Sequence, residues 1–186
     1  MSQADIDAFI HSAQDDMLTP EGVTTAVVNR GIPVNGRDSF GITALHYAVY
    51  RKRPELVVAL MAAGADANVK KIYGHTSVLL GAAHSTVDIL QLLIDGGGSV
   101  NEPRNDGCTP LIALILWNKG DAAARLEVLL TCPELDLDAE YEGKTAEQWA
   151  VDMGHLELAA VIAQERRWSA LRASWVAATS ASTMTF

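Results

Sequence analysis

The pair Gly-x-Thr returns along this chain at a nearly constant interval, and that recurrence limits the fold more than any other feature. Gly41-Ile42-Thr43-Ala44-Leu45 is echoed by Gly74-His75-Thr76-Ser77-Val78, by Gly107-Cys108-Thr109-Pro110-Leu111 and by Gly143-Lys144-Thr145-Ala146-Glu147. The glycines are spaced by 33, 33 and 36 residues. A second series runs in phase: Gly31, Gly64 and Gly97 each stand four residues before Asn35, Asn68 and Asn101, again 33 apart. Two combs of one period specify a chain of repeated modules, each packed on its neighbours.

The chemistry of the recurring positions describes the module. A threonine hydroxyl can accept from a free amide of a helix's first turn, so Thr43, Thr76, Thr109 and Thr145 predict helix starts. Pro110 then falls where a helix tolerates its missing N–H. A second apolar pattern comes next in each module: Leu56, Val57, Leu60 and Met61; Ile89, Leu90, Leu93 and Ile94; Leu126, Leu129 and Leu130; Leu158, Ala159 and Ile162. That spacing is one face of a second helix. Gly31, Gly64 and Gly97 sit just past the ends of such helices, where a left-handed backbone costs glycine little. The unit is therefore helix, turn, helix and a hairpin-like finger, and the fold class is all-α.

This unit resembles the ankyrin repeat, which has a period of 33 residues and a T-P-L-H-x-A motif. Thr43-Ala44-Leu45-His46-Tyr47-Ala48 matches that motif with Ala44 in place of proline. Gly154-His155-Leu156-Glu157-Leu158 is similar to the family's second-helix opening, and "MAAGADANV" (61 to 69) to its helix exit. The resemblance covers residues 1–163 and implies units of about 1–37, 38–70, 71–103, 104–139 and 140–163, with a tail over 164–186. It also implies that His46 links neighbouring fingers by hydrogen bonds rather than serving catalysis.

The departures from the pattern carry expectations of their own. Repeat four is longer by three residues, which falls within "WNKGDAAAR" (117 to 125), and Pro133 takes the place of its exit glycine. Repeat five has Glu147 where leucine is expected, with Trp149 nearby. Upstream, Val23, Val27 and Val28 are in register with Leu56, Leu60 and Met61, which reads as an N-terminal capping repeat. In "ERRWSALRASWVA" the residues Trp168, Leu171 and Trp175 share one helical face, either a cap folded onto repeat five or a partner-binding helix. The final "TSASTMTF" reads as frayed.

Composition narrows the function. No apolar run is long enough to span a membrane, and no basic, then apolar leader opens the chain. Two cysteines without zinc-type spacing fit a reducing compartment, the cytoplasm, with the nucleus as alternative. The net charge of −9 disfavours a nucleic-acid partner, although residues 164–186 alone carry Arg166, Arg167 and Arg172 against Glu165. His11, His75 and His84 lie in different units with no carboxylate or thiol at metal or triad spacing, so neither metal nor cofactor is expected. Asp136, Asp138, Glu140 and Glu142 alternate before Gly143 but lack the glycine of a calcium loop. No phosphate loop, nucleophile elbow or dinucleotide fingerprint occurs, which argues against an enzyme. Cys108, beside a finger glycine, is the candidate for an exposed, sensing thiol.

What remains is a binding surface. In the ankyrin family, partners lie along the concave face made by finger tips and first helices. The resemblance carries that role onto Phe40, Ile42, Tyr73, His75, Tyr141 and Glu142 at the fingers and onto Tyr50, Arg51, His84 and Trp117 at the ends of first helices. Phe40, Tyr73 and Tyr141 read as aromatics at one recurring address, either as anchors for a partner or packed on one another between repeats. The expectation is a monomeric protein-binding module whose acid-rich fingers select a basic partner. The alternative is a stoichiometric regulator, an inhibitor or assembly chaperone of an enzyme.

Overall fold

The computed structural model describes residues 2–117 and 120–182. Helices come in pairs: α3 (Ala44–Tyr50) with α4 (Pro54–Ala62), α5 (Ser77–His84) with α6 (Val87–Asp95), α7 (Pro110–Leu116) with α8 (Ala122–Leu130), and α9 (Ala146–Asp152) with α10 (Leu156–Ser182). Ahead of them, α1 (Gln3–Gln14) packs on α3 and α2 (Pro20–Thr24) on α4. First helices stack in the series α3, α5, α7, α9 and second helices in the series α4, α6, α8, α10. The result is a two-layer solenoid, as the resemblance implies, whose core runs continuously between the layers.

Each first helix begins as the threonines require. The hydroxyls of Thr43, Thr76, Thr109 and Thr145 accept from the amides of His46, Leu79, Ile112 and Gln148 at 3.2–3.4 Å. The second helices bury the expected face: Leu56, Val57, Leu60, Ile89, Leu90, Leu93, Leu126, Leu129 and Ile162 are inaccessible or nearly so, each side chain contributing about 1.5–3 kcal/mol on burial. Gly64 and Gly97 adopt φ of 88° and 86° past the ends of α4 and α6, where the amides of Ala65 and Gly98 return to the carbonyls of Leu60 and Leu93.

The asparagine comb holds the modules together. Asn35 donates to Gly64 O and accepts from Asp66 N; Asn68 donates to Gly97 O and accepts from Ser99 N; Asn101 donates to Glu134 O and accepts from Asp136 N. Each amide thus satisfies both a free carbonyl and a free amide in the next exit loop, which is why both polar ends of one short side chain are needed. A second link ties first-helix ends to the next module, through Ser85 in the connection between its helices and, one module on, through Arg125 on α8. Val49 O accepts from Ser85 Oγ at 3.2 Å, and Ala82 O, one period later, accepts from Arg125 Nη1 at 2.7 Å.

Two departures from the sequence-based expectation have local causes. The segment Thr25–Asn29 is a π-turn, with Arg30 N bonding back to Thr25 O, and the extra residue in that turn rotates the side chains after it. Val23 and Ala26 face the core, while Val28, expected beside Val27, is exposed. In repeat four the connection between helices covers 117–121, against 51–53 and 85–86 in the preceding repeats, so the inserted length lies where the sequence placed it. Residues 118 and 119 lie outside the described residues.

The second departure is at the C-terminus. No break occurs near residue 163: α10 continues as one helix from repeat five to Ser182, across the boundary expected at 163/164. Leu158, Ala159 and Ile162 seat its first half. Beyond them Trp168, Leu171 and Trp175 are exposed and do not fold back as a cap. A continuous helix cannot turn its later residues onto the repeats without a loop, and none interrupts α10. Residues 183–186 of the stretch expected to fray lie outside the described residues.

Candidate functional site

The fingers between modules are built as tight turns. Asp38 N bonds to Ile42 O, Lys71 N to His75 O and Arg104 N to Cys108 O, each near 3 Å; in repeat five the same turn lengthens into β1 (Glu140–Tyr141) paired with β2 (Lys144–Thr145). Fingers also bond to each other, Ile72 N to Phe40 O at 2.8 Å and Asn105 N to Tyr73 O at 3.1 Å. Gly74 is required by this contact as well as by its φ of 83°, because a Cβ there would lie 2.6 Å from Asn105 N. The tips therefore form a row of fixed spacing beside the first helices.

Exposed aromatic side chains gather on that row at repeats two and three. Phe40 is 58% exposed, Tyr50 63% and Tyr73 70%, and Ile72 is exposed beside them. Next to them a groove of about 310 Å³ is lined by Ile42, His46, Tyr47, Tyr50, Lys71 and Leu80. Two of these, Ile42 and Tyr50, are among the residues expected from sequence; Phe40 and the exposed Arg51 stand near them in the chain, and Tyr73 and His75 lie beyond Lys71 on the same finger. Tyr73 sits in the left-handed region, φ 66° and ψ 7°, an uncommon place for a bulky side chain.

His46 closes the floor of this groove. It is buried; its Nδ1 accepts from Thr43 N at 3.1 Å and its Nε2 reaches His75 O at 3.3 Å in the next finger, an arrangement for a neutral ring protonated on Nε2. Burial lowers its pKa from the ordinary 6.5 to about 4, with Lys71 acting in the same direction. The same causes, burial first and then Lys71, lower His75, and burial lowers Lys71.

The remaining expected contact residues lie further along. Trp117, at the end of α7, is half-buried with His84 6.0 Å away across a tilted ring contact and the Arg104 guanidinium 4.9 Å above it. Tyr141 does not share an address with Phe40 and Tyr73. Those two immediately precede their glycines, whereas Glu142 holds that place in repeat five, with φ 51°. Tyr141 stands one residue earlier, on β1, where strand alternation turns it onto Trp149 at 6.2 Å, and Trp149 Nε1 donates to its carbonyl at 3.0 Å. Phe40 and Tyr73 are thus exposed, whereas Tyr141 packs on Trp149 of its own repeat and not on an aromatic of a neighbouring finger.

Cys108 corrects another expectation. Its thiol is buried, and burial pushes its pKa up to about 11, opposite to the lowered value of a reactive thiol. The acids 136, 138, 140 and 142 are all exposed, and Asp138 pairs with Arg166 at 2.9 Å. Glu147, in place of leucine, meets the same guanidinium at 2.9 Å, so the departure in α9 is matched by one in α10. Arg125, 1% exposed, was not singled out by sequence, since an arginine beside three alanines in an amphipathic helix carries no mark of burial. Among the described residues no group of His, Cys, Asp and Glu is placed to hold a metal ion, and no helix is long and apolar enough to cross a membrane.

A family profile described as ankyrin repeats (many copies) matches residues 27–79. The chain is 34% identical over 135 residues to neurogenic locus notch homolog protein 1 of Xenopus laevis, which covers 69% of this chain and 5% of that protein. It is 31% identical over 144 residues to neurogenic locus notch homolog protein 2 of Homo sapiens, covering 73% of this chain and 5% of that protein. An ankyrin repeat protein designated L271, of Acanthamoeba polyphaga mimivirus, is 32% identical over 81 residues, 44% of this chain and 11% of that one. The chain thus spans a small fraction of the length of these relatives.

Proposed function

The chain is an ankyrin repeat protein, and from that premise we propose that it is a non-catalytic module that binds a protein partner through the groove and finger tips of repeats two and three. Ankyrin repeats are in general protein–protein interaction modules. The observation that carries the finer reading is the cluster of exposed Phe40, Tyr50, Ile72 and Tyr73 beside the groove lined by Ile42, Tyr47 and Leu80. Aromatic anchors at such a site each contribute about 2 kcal/mol or more to binding.

The backbone at Tyr73 supports this choice. A left-handed conformation costs a residue with a Cβ about 1 kcal/mol, and Tyr73, largely in water, recovers little of that by packing. A strained, exposed aromatic is more readily explained by a contact made outside the chain than by folding. Glu142 holds the matching tip of repeat five, and with Asp136, Asp138 and Glu140 it adds a second contact strip that favours basic side chains of a partner. His84, Trp117 and Arg51 border the surface, and Tyr141 supports its last finger from within. Both cysteines are buried free thiols, in keeping with a reducing compartment such as the cytoplasm.

The test is affinity capture with the wild-type chain beside a Phe40→Ala, Tyr50→Ala, Tyr73→Ala triple variant, with urea unfolding of both as the control. Partners retained by the wild type and lost by an equally stable variant support the reading. Equal capture by both refutes it.

A further inference from the structure

The groove at repeats two and three, taken as the contact surface above, has a cation in its wall without an anion to match. Lys71 is half-buried among Ile42, Tyr47, Tyr50 and Leu80. Neighbouring cations are paired within the chain: Lys70 with Glu102 at 2.6 Å, Arg53 with Glu55 at 3.0 Å, and Arg104 with Asp106. Among the described residues Lys71 has no such ion pair. Asp38 acts on it from beyond ion-pair distance, and its carboxylate Oδ1 accepts from the amides of Phe40 and Ile42 at 2.8 and 2.9 Å.

Two more cations stand at the rim. Arg51 and Lys52 come directly after Tyr50 at the end of α3, both exposed and neither in an ion pair among the described residues; Arg51 acts on the Tyr47 phenol, opposed there by Asp38 and Asp15. In the same finger as Lys71, His75 Nδ1 is buried without a hydrogen-bond partner. In a chain of net charge −9, three cations, Lys71, Arg51 and Lys52, stand here against the two carboxylates of Asp38 and Asp15. Screening at physiological salt limits the reach of distant charges to about 8 Å, so the local cations decide what docks here. The sign is opposite to the basic partner that the overall charge suggests.

We propose that this groove takes an acidic peptide segment of the partner. An apolar or aromatic side chain of the segment seats among Ile42, Tyr47, Tyr50 and Leu80, and an adjacent Asp or Glu carboxylate pairs with Lys71 Nζ. Arg51 and Lys52 attract the negative charge that flanks it. A half-desolvated lysine beside an apolar wall makes the pairing selective, because an apolar segment without the carboxylate would bury the ammonium uncompensated. The proposal rests on the groove being the contact surface.

The experiment selects peptides from a random display library on the full chain and measures the enriched peptides by fluorescence polarisation on wild type, Lys71→Met, Lys71→Arg and Tyr50→Ala. The expected result is enrichment of peptides with Asp or Glu within two positions of an aliphatic or aromatic residue. Their binding weakens by about tenfold or more in Lys71→Met and in Tyr50→Ala and persists in Lys71→Arg, which retains the charge, with urea unfolding of each variant matching wild type. Peptides that need Tyr50 yet bind Lys71→Met as tightly as wild type overturn the acidic occupant and leave the groove standing. Binders indifferent to both positions overturn the groove as well, and a selection that enriches no acidic peptide overturns the proposal.

Discussion

Lowering the pH should destabilise this solenoid through His46 before its carboxylates protonate. The folded chain holds the imidazole neutral with a pKa of about 4, against 6.5 when burial is released. As pH falls through the unfolded value the unfolded chain takes up the proton first, so stability begins to drop near pH 6.5 and goes on dropping until the folded value is reached. The loss from this one group is about 2 kcal/mol at about pH 5, approaching about 3 kcal/mol below the folded pKa. That is a large share of a typical domain stability of about 5–15 kcal/mol. His75, lowered by burial and by Lys71, adds in the same direction, so the His46 contribution must be isolated by difference. His46→Gln is the suitable variant: repeat five already uses Gln148 at the matching position, where its Oε1 accepts from Thr145 N at 2.9 Å. Urea unfolding monitored by circular dichroism, at about pH 7 and about pH 5, measures both proteins. The wild type should lose about 2 kcal/mol more than His46→Gln between the two conditions. Equal losses would refute the buried neutral histidine as the source.

Other consequences can be measured on the same material. Asn68→Ala removes two bonds between modules and should lower the unfolding free energy by about 1–2 kcal/mol, less than the sum of two buried bonds because water reaches the site. Tyr73→Asn should raise stability by about 1 kcal/mol by relieving the left-handed backbone while weakening partner binding; a variant no more stable than wild type would remove the strain argument. Trp168→Ala and Leu171→Ala should each change stability by less than about 0.5 kcal/mol, since neither side chain packs on the repeats, and a larger loss would mean that α10 caps repeat five after all. Cys108 should react with an aromatic disulfide reagent far more slowly in the native chain than in denaturant, and rapid native labelling would contradict its burial.

Much of the architecture can be read along the chain because its determinants are local. A threonine caps a helix within three residues, a glycine reverses the backbone where it stands, and an apolar stripe repeats with the pitch of one helix. Those rules place Thr43, Thr76, Thr109 and Thr145 at helix starts and Leu56, Ile89, Leu126 and Ile162 in the core, and the period alone says that the modules stack. The site is less legible. Val28 leaves its expected face because one π-turn shifts the register, Cys108 is covered by its neighbours, and Tyr141 turns inward because it lies one residue short of the tip. The asparagine comb is visible as a pattern, but its use as a clamp is not, since each asparagine's partners belong to the next module's exit loop.

What the amino-acid order determined by itself is the module: its length, its helix starts, its buried stripe and the number of times it is repeated. What only the stacked structure decided is which side chains stay in water and which charges find partners, from the exposed Tyr73 and a Lys71 without an ion pair among the described residues to the buried Arg125. The division has one physical cause. Backbone geometry and capping act over a few residues of contiguous chain, whereas exposure and ion pairing at any position depend on the module packed alongside it.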